Sequence, residues 1–111
     1  MKDHINEYFS NKNNRTTSSY QQFKRMILNN GVSLSVQAGE MMYSEPRRDD
    51  CDVYTAVEVG FPSEEIDELV YYAEDPNDLT GTVYSYVPVE VMNKYIEEAG
   101  GIISHNGEIL C

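Results

Sequence analysis

The chain has 111 residues, enough for one domain with a single core. An apolar content of 41 % with nine tyrosines excludes wholesale disorder, and no apolar run approaches the ~18 residues of a membrane span. The formal net charge of −11 disfavours direct contact with nucleic acid or with anionic membrane surfaces.

In chain order, "MKDHINEYFSNKNNR" is polar and Asn-rich. It predicts a flexible N-terminal arm over residues 1–15, with at most a helical turn around Ile5–Phe9, ahead of a single domain over 16–111. In "TTSSYQQFKRMILNNG", Ser18 with Gln21, or Ser19 with Gln22, makes a capping box. Tyr20, Phe23, Met26 and Ile27 share a helical face and Asn30-Gly31 is a stop signal, which predicts a first helix. "GVSLSVQAG" alternates with period two, Val32, Leu34, Val36 and Ala38 against Ser33, Ser35 and Gln37, and predicts a strand. "DVYTAVEVGF" predicts a second strand with Val53, Thr55, Val57 and Val59 on one face; the short intervening loop favours an antiparallel pair.

Ser63 is the expected N-cap of a helix whose stripe is Ile66, Leu69, Val70 and Ala73 and which ends at Pro76. Glu64, Glu65, Asp67 and Glu68 crowd its first turns, where the helix dipole favours carboxylates. "TVYSYV" predicts a third strand. Pro88 opens a helix with the stripe Val89, Met92, Ile96 and Ala99, stopped by Gly100-Gly101. "IISHNGEIL" predicts a short hairpin around Asn106-Gly107. The expected fold is α+β: a small, mainly antiparallel sheet of three to five strands with about three helices packed against it. The alternative is a split βαβ arrangement with the third strand parallel to the second.

Chemical signatures are sparse. The sequence has no G-x-S-x-G, no informative Cys-His spacing and no Gly-rich phosphate loop. The carboxylates fall on expected polar faces, without the burial that tunes a general acid or base. A non-enzymatic protein without cofactor or metal is therefore expected. Cys51 and Cys111 with His4 and His105 are a nominal Cys2His2 set, but without paired ligand spacing they read as free thiols and surface histidines. "EDPNDLTG" offers oxygens from Asp75, Asn77 and Asp78, yet Gly81 comes too late for a calcium loop and the bidentate Glu is missing, so a helix-ending turn is expected. The N-terminus holds no apolar core of signal-peptide length, and the expected compartment is the cytoplasm.

Charge is the feature above background. Residues 1–48 carry seven basic and four acidic groups, and residues 49–111 one basic and fifteen acidic. No Lys or Arg occurs from Asp49 to Asn93, whereas ordinary soluble surfaces mix both signs. Asp49, Asp50, Asp52, Glu64, Glu65, Asp67, Glu68, Glu74, Asp75 and Asp78 are the expected partner-binding groups, on one contiguous patch. Whichever of Tyr71 and Tyr72 points away from the apolar stripe is the expected aromatic anchor. The bland reading of the same charge is a solvated face that keeps a small protein soluble.

In general character, a short acidic single domain without catalytic motifs, the chain resembles the small anti-defence inhibitors of phages and mobile elements, anti-CRISPR proteins above all. The resemblance implies stoichiometric binding to a nucleic-acid-handling complex of a bacterial host cell, without a cofactor. On that expectation the carboxylates pair with Lys and Arg that otherwise hold DNA or guide RNA, and target DNA binding is blocked. The competing expectation is a regulatory interaction module that binds through its tyrosines or a sheet edge.

Overall fold

The computed structural model describes residues 2–16 and 22–103. Five strands form one sheet: β1 (Met26–Leu28), β2 (Ser33–Gln37), β3 (Ala56–Gly60), β4 (Val83–Pro88) and β5 (Ile102–Ile103). Their order is β4-β3-β2-β1-β5, and every neighbouring pair is antiparallel. The class is α+β as expected; the antiparallel β3–β4 pair overturns the parallel alternative.

The alternation in β2 sets the two faces of the sheet. Leu34 and Val36 are fully buried, and the register Val36↔Val59 puts Val57 and Val59 on the same side. Met26 and Leu28 of β1, Ile102 of β5 and Tyr84 of β4 join them. Against this face lie α1 (His4–Ser10), through Ile5, Tyr8 and Phe9, and α2 (Val89–Glu98), through Val89, Met92 and Ile96. The helical stripe expected after Pro88 is thus the buried one. The opposite face carries Ser33, Ser35, Glu58, Gly60 and Val83, with no helix over it among the described residues.

Several expectations differ from the structure. Residues expected to form a flexible arm supply core side chains, because their Asn side chains bind backbone groups. Asn6 exchanges two hydrogen bonds with the main chain of Tyr54, its Oδ1 accepting at 2.8 Å and its Nδ2 donating at 3.0 Å. Asn14 Nδ2 donates to Tyr8 O, and Asn93 of α2 accepts from the Ile5 N–H. Phe9 stacks on Phe23 with ring centroids 4.2 Å apart.

The second difference is the expected first helix. Residues 17–21 lie outside the described set, and Met26–Leu28 is a strand. Met26 and Leu28 are buried while Ile27 is half-buried, a period of two, and pairing with β2 and β5 on both sides outweighs modest helix propensity. The Asn30-Gly31 stop signal is a hairpin turn. Leu28 and Val32 close a three-residue loop, Asn30 Oδ1 accepts from Val32 N, and Gly31 takes φ +93°, where only a residue without Cβ is relaxed.

The third difference is the helix expected from Ser63. Ser63 caps nothing; it exchanges hydrogen bonds with Ser33 at the start of β2, its N–H donating to Ser33 O and its Oγ accepting from Ser33 N. A 3-10 helix follows over Asp67–Tyr72. Its three-residue repeat buries Ile66 and Leu69 and packs Tyr72 against the core, which leaves Val70 of the expected stripe exposed. On β3, Val53 and Thr55 of the expected inward face lie ahead of the strand and are exposed. Ile102 and Ile103 pair with β1, and the hairpin expected at Asn106-Gly107 lies outside the described residues, as do His105 and Cys111.

Candidate functional site

The expected acidic patch is divided. Asp49 lies beyond the C-terminal end of β2, where its carboxylate accepts from Glu40 N at 2.8 Å and Gln22 Nε2 at 2.6 Å. Ser63, which leads into Glu64, is fastened to Ser33 at the other end of the same strand. Six to seven extended residues separate those attachment points, about 20 Å. The acids of 49–52 and the start of the 64–78 segment are therefore fastened at opposite ends of β2.

Two of the three loop carboxylates, Asp49 and Asp50, are engaged within the protein. The Glu40 N–H and then the Gln22 amide stabilise the Asp49 carboxylate and hold its pKa below the usual aspartate value. Asp50, at φ +56°, pairs with Arg15 at 2.7 Å. Asp52 lines an open depression with Phe9, Lys12, Arg15 and Cys51, so basic groups from the start of the chain stand beside these acids.

The second group forms a ridge along β4 and the 3-10 helix. Glu64, Glu65, Asp67, Glu68, Glu74, Asp75 and Asp78 are all exposed, and none has a Lys or Arg within ion-pair distance among the described residues. Positions three apart eclipse in a 3-10 helix, so Glu68 and Tyr71 share one outward face while Leu69 and Tyr72 share the inward one. Tyr71 is 90 % exposed and is the aromatic anchor of the two. Burial raises the pKa of Tyr95 of α2, and the negative charges of Glu64 and Glu68 add to it; burial and then Glu65 do the same for Tyr84.

At its far end the ridge is clamped to β4. Glu74 N donates to Val83 O, the Ser85 hydroxyl donates to the Glu74 carboxylate, and Ala73 bridges Tyr84. Asp75 accepts from Asn77 N in an Asx turn, and the Asp78 carboxylate fills the space beside Gly81 that a Cβ would need. The segment is a turn, as expected. Among the described residues no three His, Cys, Asp or Glu side chains converge as metal ligands.

A site not anticipated from the sequence lies on the face opposite the helices. Val57 pairs with Val87 and Val59 with Tyr84, so Glu58 opposes two residues, Ser85 and Tyr86, in a β-bulge. Tyr86 takes φ +52° there, and Phe61, just past β3, takes φ +49°. Such backbone is uncommon for bulky side chains and clusters at functional sites. Beside Phe61 opens a cleft of about 190 Å³, floored by Ser35, Gln37, Glu58 and Gly60 and walled by Met42, Phe61 and Val83. Burial raises the pKa of Glu58; the Tyr43 N–H and Arg47 oppose that shift, and Glu74 adds to it. Tyr43 and Tyr86 stand together, ring centroids 5.9 Å apart, with the Arg47 guanidinium 5.4 Å from the Tyr43 centroid. The sequence signal was a single Glu and a Gly inside "AVEVG", a polar and a bare position on an otherwise apolar strand.

No family model, no curated protein and no solved structure matches the chain. Among the described residues no helix is long and apolar enough to cross a membrane.

Proposed function

We propose that the protein is a stoichiometric, non-enzymatic inhibitor that lays its acidic ridge on a Lys/Arg-rich nucleic-acid-binding surface, as anti-CRISPR-like proteins do against host defence complexes. The observation that carries this reading is the state of the Glu64–Asp78 carboxylates: seven in one segment, exposed, and without a basic ion-pair partner among the described residues. Self-repulsion on such a surface costs stability, which a basic partner relieves.

The spacing supports it. Glu64 to Glu68 places four carboxylates over about 8–13 Å of chain, at 2.0 Å per 3-10 residue or 3.3 Å per extended one. That is about 3–4 Å per charge, near the ~3.4 Å per phosphate of one nucleic-acid strand. Tyr71 supplies a ring beside that row, an amphipathic contact of the kind enriched at interfaces. Sheet-edge docking is the weaker alternative, because Ala73, Glu74 and Tyr43 already occupy hydrogen-bonding positions along β4.

Affinity capture from a bacterial lysate at low and at high salt tests the reading. Nucleic-acid-binding proteins are expected among those retained at low salt and released as salt rises. Retention of a partner that is indifferent to salt, or exclusion of nucleic-acid-binding proteins, contradicts it.

A further inference from the structure

We propose that the cleft between Phe61, Met42 and Val83 receives one arginine side chain of a basic protein partner, with Glu58 as the carboxylate that meets its guanidinium. The inference rests on the reading that the partner is a basic protein, and it adds a specific anchor to the diffuse attraction of the ridge.

Size selects the occupant. Pockets for small molecules run to about 300–1,000 Å³. At about 190 Å³ this cleft suits a single side chain. Interfaces concentrate their affinity in such pockets, and arginine is among the residues that fill them.

Chemistry selects it further. Glu58 is half-buried and has no Lys or Arg within ion-pair distance among the described residues, the Arg47 charge acting on it only from further off. A carboxylate removed from water without a cation is costly, and a partner's cation removes that cost. A guanidinium satisfies a carboxylate through paired N–H donors while its flat face stacks on aromatic rings. Phe61 lies in the wall, and Tyr43 and Tyr86 lie beside the cleft. The protein's own Arg47 already shows this mode on Tyr43, although its Nε is held by Met42 O. Arg25 is also engaged, donating to Ser33 and to Phe61 O, and that bond fixes the carbonyl of a positive-φ residue in the wall.

The floor is open by design of the sequence. A Cβ at Gly60 would meet Val83 Cγ1 at 3.6 Å and Ser35 Cβ at 3.8 Å, ordinary contacts, so glycine there is not demanded by crowding. Its absence of a side chain leaves the room that the arginine takes. The cleft also adjoins the ridge, through Glu74 on Val83 and Ser85.

The test is a titration of the full-length ¹⁵N-labelled chain with acetyl-Gly-Arg-Gly-amide, against the citrulline peptide of the same shape and no charge. Saturable amide shifts are expected at Ser35, Gly60, Phe61 and Val83, and none of that kind with citrulline. Glu58→Gln is expected to weaken the peptide by at least about tenfold. Gly60→Ala, which fills the floor, should weaken it too and serves where the Gln variant is unfolded. Asp52→Asn, one charge removed elsewhere, should leave it unchanged. Equal binding of citrulline, indifference to both cleft variants, or shifts confined to residues 64–78 overturns the proposal. Those results leave the ridge reading intact, whereas salt-indifferent capture of partners overturns the ridge and not the cleft.

Discussion

The loop Asp49–Asp52 carries three carboxylates in four residues and the ridge Glu64–Asp78 seven in fifteen, and the two differ most in what surrounds them. In the loop, Asp49 is an acceptor for a backbone and a side-chain N–H, and Asp50 is paired with Arg15. On the ridge, Asp75 serves an Asx turn and Glu74 takes the Ser85 hydroxyl, but Glu64, Glu65, Asp67 and Glu68 point out unpaired by any described cation. A carboxylate's availability to a partner therefore follows from its local acceptor duties and from cations distant in sequence, not from how many acids lie nearby in the chain.

The contrast breaks first on charge reversal. Replacing Glu64, Glu65 and Glu68 by Lys should weaken the captured partner by more than about a hundredfold, given coupling of about 1.5 kcal/mol or more for each close charge pair. Asp50→Lys with Asp52→Lys should cost binding far less. Equal losses measured by calorimetry would erase the distinction between the two regions.

Stability separates the inward and outward faces of the ridge. Leu69→Ala removes the buried support of the ridge and should cost about 2–5 kcal/mol in urea unfolding. Tyr71→Ala, two positions on but outward, should stay within about 0.5 kcal/mol of wild type while reducing partner affinity.

How much of this was legible in the sequence depends on what each residue packs against. The Val89, Met92 and Ile96 stripe reflects burial on one face of α2, and the alternation in β2 separates Leu34 and Val36 in the apolar core from Ser35 and Gln37, buried as hydrogen-bonded polar groups; both elements stand where they were expected. Met26–Leu28 misled because three residues are too few to tell a period of two from one of 3.6, and its partners lie elsewhere in the chain. Asn6 and Asn14 looked like disordered composition and are backbone anchors, a role set by Tyr54 and Tyr8. The cleft was hidden because it needs Phe61, Met42 and Val83 brought beside Glu58 and Gly60 by long-range pairing. The split of the acidic patch was equally out of reach, since β2 and β3 must be in place before the two ends of the sheet exist.

Acid titration gives a smaller and sign-specific contrast. The lowered pKa of Asp49 stabilises the fold above the ordinary aspartate value, and that contribution is lost as pH falls through the folded value. Glu58 is raised, so its charged form opposes folding; the penalty is full above the folded value and disappears as pH falls to the ordinary glutamate value. Asp49→Ala should therefore destabilise by about 1 kcal/mol or less at pH 7, the exposed carboxylate being screened by water. Glu58→Gln should be neutral or slightly stabilising at pH 7, with the difference from wild type closing in acid. Urea midpoints across pH check both signs.

The availability of the ridge carboxylates is tested most directly by the salt dependence of affinity for the captured partner. If they replace a nucleic-acid strand on a basic surface, the logarithm of the association constant falls steeply with that of salt concentration, and the Glu64, Glu65, Glu68→Lys protein loses most of that dependence. An affinity that holds between low and about 0.5 M salt, where screening reaches only ~4–5 Å, would contradict the account.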